Sequence, residues 1–169
     1  MEMETLRELF KSDLEYLYDA EKELVDVLPL MSDAAATPEL RNAFVEHLER
    51  SSRQLGRLEE IFGNLGMNPS GRKSRGIGGL IAEGKELVEK GHSLPPGVLD
   101  VSLIAAARRV GHYEIAAYGT LSSYAKLLGD KKSAGLLDKT IKEEEEADKE
   151  FIRMAVERAY PGASAVGGG

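Results

Sequence analysis

The chain has no cysteine among its 169 residues, which excludes disulfides, thiolate catalysis and cysteine-ligated zinc or iron–sulfur sites. Any metal must therefore be held by oxygen and imidazole donors. There is no uninterrupted apolar run near the roughly 20 residues that a membrane-spanning helix needs, and residues 1–10 are charged rather than apolar. A soluble, cytoplasmic protein with no membrane partner is expected. Basic residues number 22 against 29 acidic ones, a formal charge of −7. That balance argues against a phosphate-binding surface, so no nucleic acid is expected as a partner, with Arg72, Lys73 and Arg75 a small local exception. Gly76, Gly78 and Gly79 do not make a phosphate loop, because neither a preceding strand nor a Gly-Lys-Ser or Gly-Lys-Thr ending is present. No nucleophile triad and no dinucleotide fingerprint appears. Prolines are few, six in all, as suits a helical protein.

What is present is 42% apolar and 30% charged residues, an ordinary balance for a folded chain of this length and enough for one core. One domain over residues 1–160 is expected, followed by a flexible tail, 161–169, that opens with Pro161 and Gly162 and ends in three glycines.

Four long helical patterns run through the domain. Over residues 5–35, Leu6, Phe10, Leu14, Leu17, Leu24, Leu28 and Met31 recur in steps of three and four, with Pro29 near the end as a possible kink. Thr37 then reads as an N-cap and Pro38 as the first residue of a helix over 38–65, with Leu40, Phe44, Leu48, Leu55, Leu58 and Phe62 facing inward. A long connection, 68–101, carries a short helical pattern through Leu80, Ile81, Leu87 and Val88 and crosses the bundle. The third helix, 103–128, presents Leu103, Ala107, Val110, Ala117, Leu121, Tyr124 and Leu128 and ends at Gly129. A fourth, 132–160, presents Leu137, Ile141, Ile152, Ala155 and Val156. The fold class predicted is all-α, a four-helix bundle with one long crossover.

Each apolar stripe is interrupted by polar residues at the positions where a core residue belongs. Glu21 fills the step between Leu17 and Leu24, and Glu114 that between Val110 and Ala117. His47 and Ser51 share the inward face of the second helix, with Gln54 near its edge, and Glu144 and Asp148 fill the gap in the fourth. Buried carboxylates without partners cost several kcal/mol, so they must be protonated, hydrogen-bonded or bound to a cation. In a pseudosymmetric bundle Glu21, His47, Glu114, Glu144 and Asp148 would meet near the middle, and hard oxygen donors with one imidazole suit a divalent metal. Within the acidic run 143–146 only Glu144 turns inward; Arg108 and Arg109 are expected on the surface, His112 at a helix edge and His92 in a loop. The alternative reading of Glu21 and Glu114 is a pair of structural carboxylates hydrogen-bonded to Tyr18, Tyr113 or Tyr118.

Five segments, LRELFKSDLEYLYDAEKEL, FVEHLERSSRQLGRLEEIFGNLG, GGLIAEGKEL, LIAAARRVGHYEIAAYGTL and TIKEEEEADKEF, cover nearly the whole chain in order and resemble the YciF-type family of stress-associated, ferritin-like proteins. The resemblance implies a ferritin-like bundle with a binuclear metal centre similar to that of rubrerythrins. It makes Glu21, His47, Glu114, Glu144 and Asp148 the ligands, with Ser51 and Gln54 supporting them. This chain has Gly111-His112-Tyr113-Glu114 where the family usually reads Glu-His-Tyr-Glu, and Ser51 where Thr is common.

Two functions follow as expectations. One is a stress protein that binds iron or manganese ions at a binuclear site. The other is a non-enzymatic structural or interaction bundle whose polar core holds no metal. A homodimer suits both.

Overall fold

The computed structural model describes residues 5–159; the tail expected over 161–169 lies outside them. All regular structure among the described residues is helical. Helix α1, Leu6–Ala34, begins with a capping box: Thr5 Oγ1 accepts from the Glu8 amide at 3.2 Å while the Thr5 amide donates to Glu8 Oε2 at 3.0 Å. It continues unbroken through Pro29. After a three-residue turn, α2 runs Pro38–Asn64.

The crossover then holds α3, Arg75–Lys90, with a 3₁₀ turn, Gly91–Ser93, behind it. At 16 residues α3 is the shortest of the described α-helices, as expected of the crossover. Helix α4, Pro96–Leu127, starts seven residues earlier than the apolar stripe indicates, because Pro96 serves as its first residue, where a missing N–H costs nothing. Helix α5, Lys131–Met154, passes into a single π-helical turn, Ala155–Ala159. Gly66 and Gly129, at φ +67° and +77°, supply the left-handed conformation that ends α2 and α4.

Helices α1 and α2 form one antiparallel hairpin and α4 and α5 another. The hairpins join through α1 against α4 and α2 against α5, and α3 lies across α1 and α4. This is a four-helix bundle with a single long crossover, the arrangement expected. Its apolar core is in two parts. Leu24, Leu28, Met31, Phe44, Leu103 and Phe151 belong to one, and Phe10, Leu14, Leu17, Phe62, Leu121 and Leu137 to the other. The boundary falls between Leu17 and Leu24 on α1, where Glu21 stands.

Two faces are rotated from their sequence reading. On α4, Tyr118 is fully buried while Ala117 and Tyr124 are half-buried. On α5 the inward stripe is Leu137, Thr140, Glu144, Ala147, Phe151 and Met154, whereas Ile152 and Val156 are exposed at 39% and 58%. Hydrophobicity alone favours the isoleucines, but packing chooses small Ala147 and lets the Thr140 hydroxyl accept from Arg57 Nη1 at 3.0 Å.

Candidate metal centre

Four helices each contribute one ionisable side chain to the layer between the two apolar clusters: Glu21 from α1, His47 from α2, Glu114 from α4 and Glu144 from α5. All four are buried. His47, Glu114 and Glu144 each offer one donor atom, and these three atoms lie within 4.8 Å of one another. His47 Nε2 faces Glu144 Oε2 at 3.8 Å, too far for a hydrogen bond. Burial, followed by repulsion from Glu144, pushes the Glu21 carboxyl up to about 8, against the opposing hydrogen bond from Tyr118. Burial, then Glu144 and Glu21, push Glu114 well above the usual carboxylate range.

The cluster is incompletely satisfied. Glu21 Oε1 accepts from Tyr118 OH at 2.6 Å, and Glu144 Oε1 accepts from Gln54 Nε2 at 2.7 Å. Among the described residues, seven buried side-chain atoms make no well-formed hydrogen bond: Glu21 Oε2, both oxygens of Glu114, Glu144 Oε2, His47 Nδ1, Ser51 Oγ and Gln54 Oε1. Buried polar atoms are almost always paired in folded proteins, so seven in one layer call for a ligand. A set rich in carboxylate oxygen, with one imidazole, fits a hard to borderline divalent cation. A metal there would neutralise the carboxylates and occupy the orphaned oxygens, so the residues fit the group.

The supporting residues form a chain outward. Gln54 Nε2 also donates to Glu143 Oε2 at 3.3 Å, and Glu143 is clamped by both ends of the Arg57 guanidinium at 2.6 and 2.7 Å. Burial raises the Glu143 carboxyl, but Arg57 outweighs it and holds the group below its ordinary value. Arg57 and Glu143 were not singled out by sequence; the signal available was Arg57 three residues after Gln54 and Glu143 beside Glu144.

Asp148 stands at the edge of the cluster, lining a small cleft with His47, Gly111 and Glu144. Its Oδ1 accepts from Arg108 Nε at 2.7 Å and its Oδ2 pairs with His112 Nε2 at 3.1 Å. Burial raises its carboxyl, and these two partners bring it below its ordinary value. The structure thus gathers Glu21, His47, Glu114 and Glu144, and places Asp148 in a separate pair of contacts. Of the tyrosines weighed as partners, Tyr118 holds Glu21, Tyr18 donates to Glu59 at 3.2 Å, and Tyr113 lies 3.4 Å from Ser74 Oγ. His92 lies in the 3₁₀ turn against the Glu89 carbonyl, Arg109 pairs with Glu83 on the surface, and His112 is an exposed edge residue. Gly111 opens the floor of the cluster: a Cβ there would meet only Glu144 Oε2, at 3.6 Å.

Comparison with known proteins gives a consistent family. The family described as a domain of unknown function, DUF892, matches residues 5–162. Protein YciF of Escherichia coli (strain K12) is 36% identical over 157 residues, covering 92% of this chain and 93% of that protein. The crystal structure of that organism's stress protein YciF superposes with a TM-score of 0.86 at 35% identity, covering 91% of this chain and 96% of the other. YcfI of Rhodopseudomonas palustris, described as a candidate structural protein, superposes with a TM-score of 0.83 at 35% identity over 89% and 94% of the two chains.

Proposed function

The chain belongs to the DUF892 family, and from its similarity to the stress protein YciF and its buried donor layer we propose that it is a stress-associated protein that binds iron or manganese between its four helices. The observation that carries this reading is the set of seven unpaired buried atoms centred on Glu21, His47, Glu114 and Glu144. Three buried carboxylates and one imidazole are costly in a metal-free core and favourable around a divalent pair.

Glu114, Glu144, His47 and Glu21 would hold the metal, Glu114 offering two oxygens that make no well-formed hydrogen bond. Bound iron or manganese would supply redox and Lewis-acid chemistry toward oxygen or peroxide. The chain's own groups prepare the site. Tyr118 fixes the Glu21 carboxylate by donating to Oε1 and leaves Oε2 free. Gln54 does the same for Glu144, and is itself braced through Glu143 by Arg57. The apolar clusters on either side keep bulk water away from the donors.

Elemental analysis of protein reconstituted with iron or manganese, beside Glu114→Ala, tests the reading. About two ions per chain, lost in the variant, is the expected result for a paired-metal site. No metal in either protein would move the function to a structural or interaction role.

A further inference from the structure

A cleft of about 290 Å³ lies between α1, α3 and α4, walled by Asp13, Tyr16 and Leu17 from α1, Ile77 from α3, and Tyr113 and Ala117 from α4. None of Glu21, His47, Glu114 or Glu144 lines it. Its acid differs from the other half-buried acids of α1. The half-buried acids Glu15, Asp19 and Glu23 each hold a cation: Arg72 lies on Glu15 at 3.4 Å, and Lys73 pairs with Asp19 at 3.2 Å and with Glu23. Asp13, also half-buried, has no ion pair or hydrogen bond among the described residues. Burial alone acts on its carboxyl and raises it.

The aromatic walls are held in place. A Cβ on Gly76 would come within 2.9 Å of the Tyr113 ring, so the glycine lets that ring lie on the first turn of α3. Tyr16 already carries the Arg72 guanidinium 5.6 Å from its ring centroid, so its π face accepts cations. A half-buried carboxylate without a counter-charge, beside two tyrosines and the apolar Leu17, Ile77 and Ala117 in one cleft, is suited to a positive charge on an apolar body. The volume is at the lower end for a ligand pocket, which limits the occupant to a small molecule.

We propose that this cleft is a binding site for a small organic cation, an amine with an apolar body, held by the Asp13 carboxylate and the rings of Tyr16 and Tyr113. The site stands apart from the metal reading and survives its failure.

The test is an amide NMR titration of the full chain, in chelator and again with metal, using benzylammonium, its neutral counterpart benzyl alcohol, and the Asp13→Asn variant. Benzylammonium should saturate and move the amides of Leu17, Ile77 and Tyr113, with benzyl alcohol at least about tenfold weaker. Asp13→Asn should lose at least about tenfold in benzylammonium affinity. Equal affinity for the alcohol, an unchanged Asp13→Asn, or shifts confined to another face would overturn the site. If Asp13→Asn does not fold, the comparison of amine with alcohol on the unaltered chain still decides. A midpoint that moves with protein concentration would place a second copy's side chain in the cleft and overturn the small-molecule assignment.

Discussion

Glu21 accepts a short hydrogen bond from Tyr118 and is nonetheless pushed up to about 8, because burial and the nearby Glu144 outweigh it. A carboxyl that titrates near 4.5 in the unfolded chain and near 8 in the folded one binds more protons when folded across that window. Its contribution to the stability of the metal-free protein is therefore complete below about 4.5 and lost as pH rises through 8. In chelator, the melting temperature should fall between pH 5 and pH 8; a flat profile by thermal circular dichroism would contradict a buried carboxylate without a counter-charge. Glu21→Gln keeps the shape and removes the charge, so the metal-free variant should melt higher than the parent at pH 8 and show a shallower slope, the remainder coming from Glu114. The same variant should bind metal more weakly, since an amide replaces an anionic donor.

Among the elements, the junction between α2 and α4 carries a device the apolar pattern does not reveal. Thr37 stands at the N-cap position of α2, but its side chain makes no capping bond. The Asp100 carboxylate, buried in the first turns of α4, accepts instead from the Ala36 and Thr37 amides at 2.7 and 3.0 Å. A negative charge there also complements the positive end of α2. Asp100→Ala leaves two N–H groups without their acceptor and should cost about 1–3 kcal/mol, measured by urea denaturation. The register of α5 allows a second measurement. Ala147→Leu overpacks the inward stripe and should cost about 1–3 kcal/mol, whereas Ile152→Gln, on the exposed side, should stay within about 0.5 kcal/mol. The reverse ranking would place α5 in the phase that hydrophobicity alone suggests.

At the scale of the whole molecule, a metal that binds only the folded chain stabilises it by mass action, about 2.7 kcal/mol at a hundredfold excess over Kd. For a domain of this size that is a rise of about 5–10 °C in melting temperature, reversed by chelator. Because binding needs the carboxylates deprotonated, the gap between metal-loaded and metal-free protein should widen from pH 6 to pH 8. The homodimer expected from the sequence is separable from this: among the described residues the large apolar side chains left exposed, Leu30, Val45, Leu127, Ile152 and Val156, lie on α1, α2, α4, α5 and the turn after α5, and sedimentation measures the mass directly. Basic residues that looked like an exception in an acidic chain are spent internally, Arg72 and Lys73 tying the crossover to Glu15, Asp19 and Glu23 of α1. The all-helical bundle, its long crossover and the inward Glu21, His47, Glu114 and Glu144 were legible in the order of residues alone, since a 3.6-residue period puts these polar interruptions on the buried stripes. Which neighbour each interruption meets was decided only by the tertiary structure. A stripe read on one helix has an angular uncertainty of about one position, which is the difference between Asp148 facing the cluster and Asp148 held by Arg108 and His112. Contacts between helices distant in sequence, such as Gln54 with Glu144, Tyr118 with Glu21 and Asp100 with the start of α2, depend on how the two hairpins dock, and no period along a single helix encodes that.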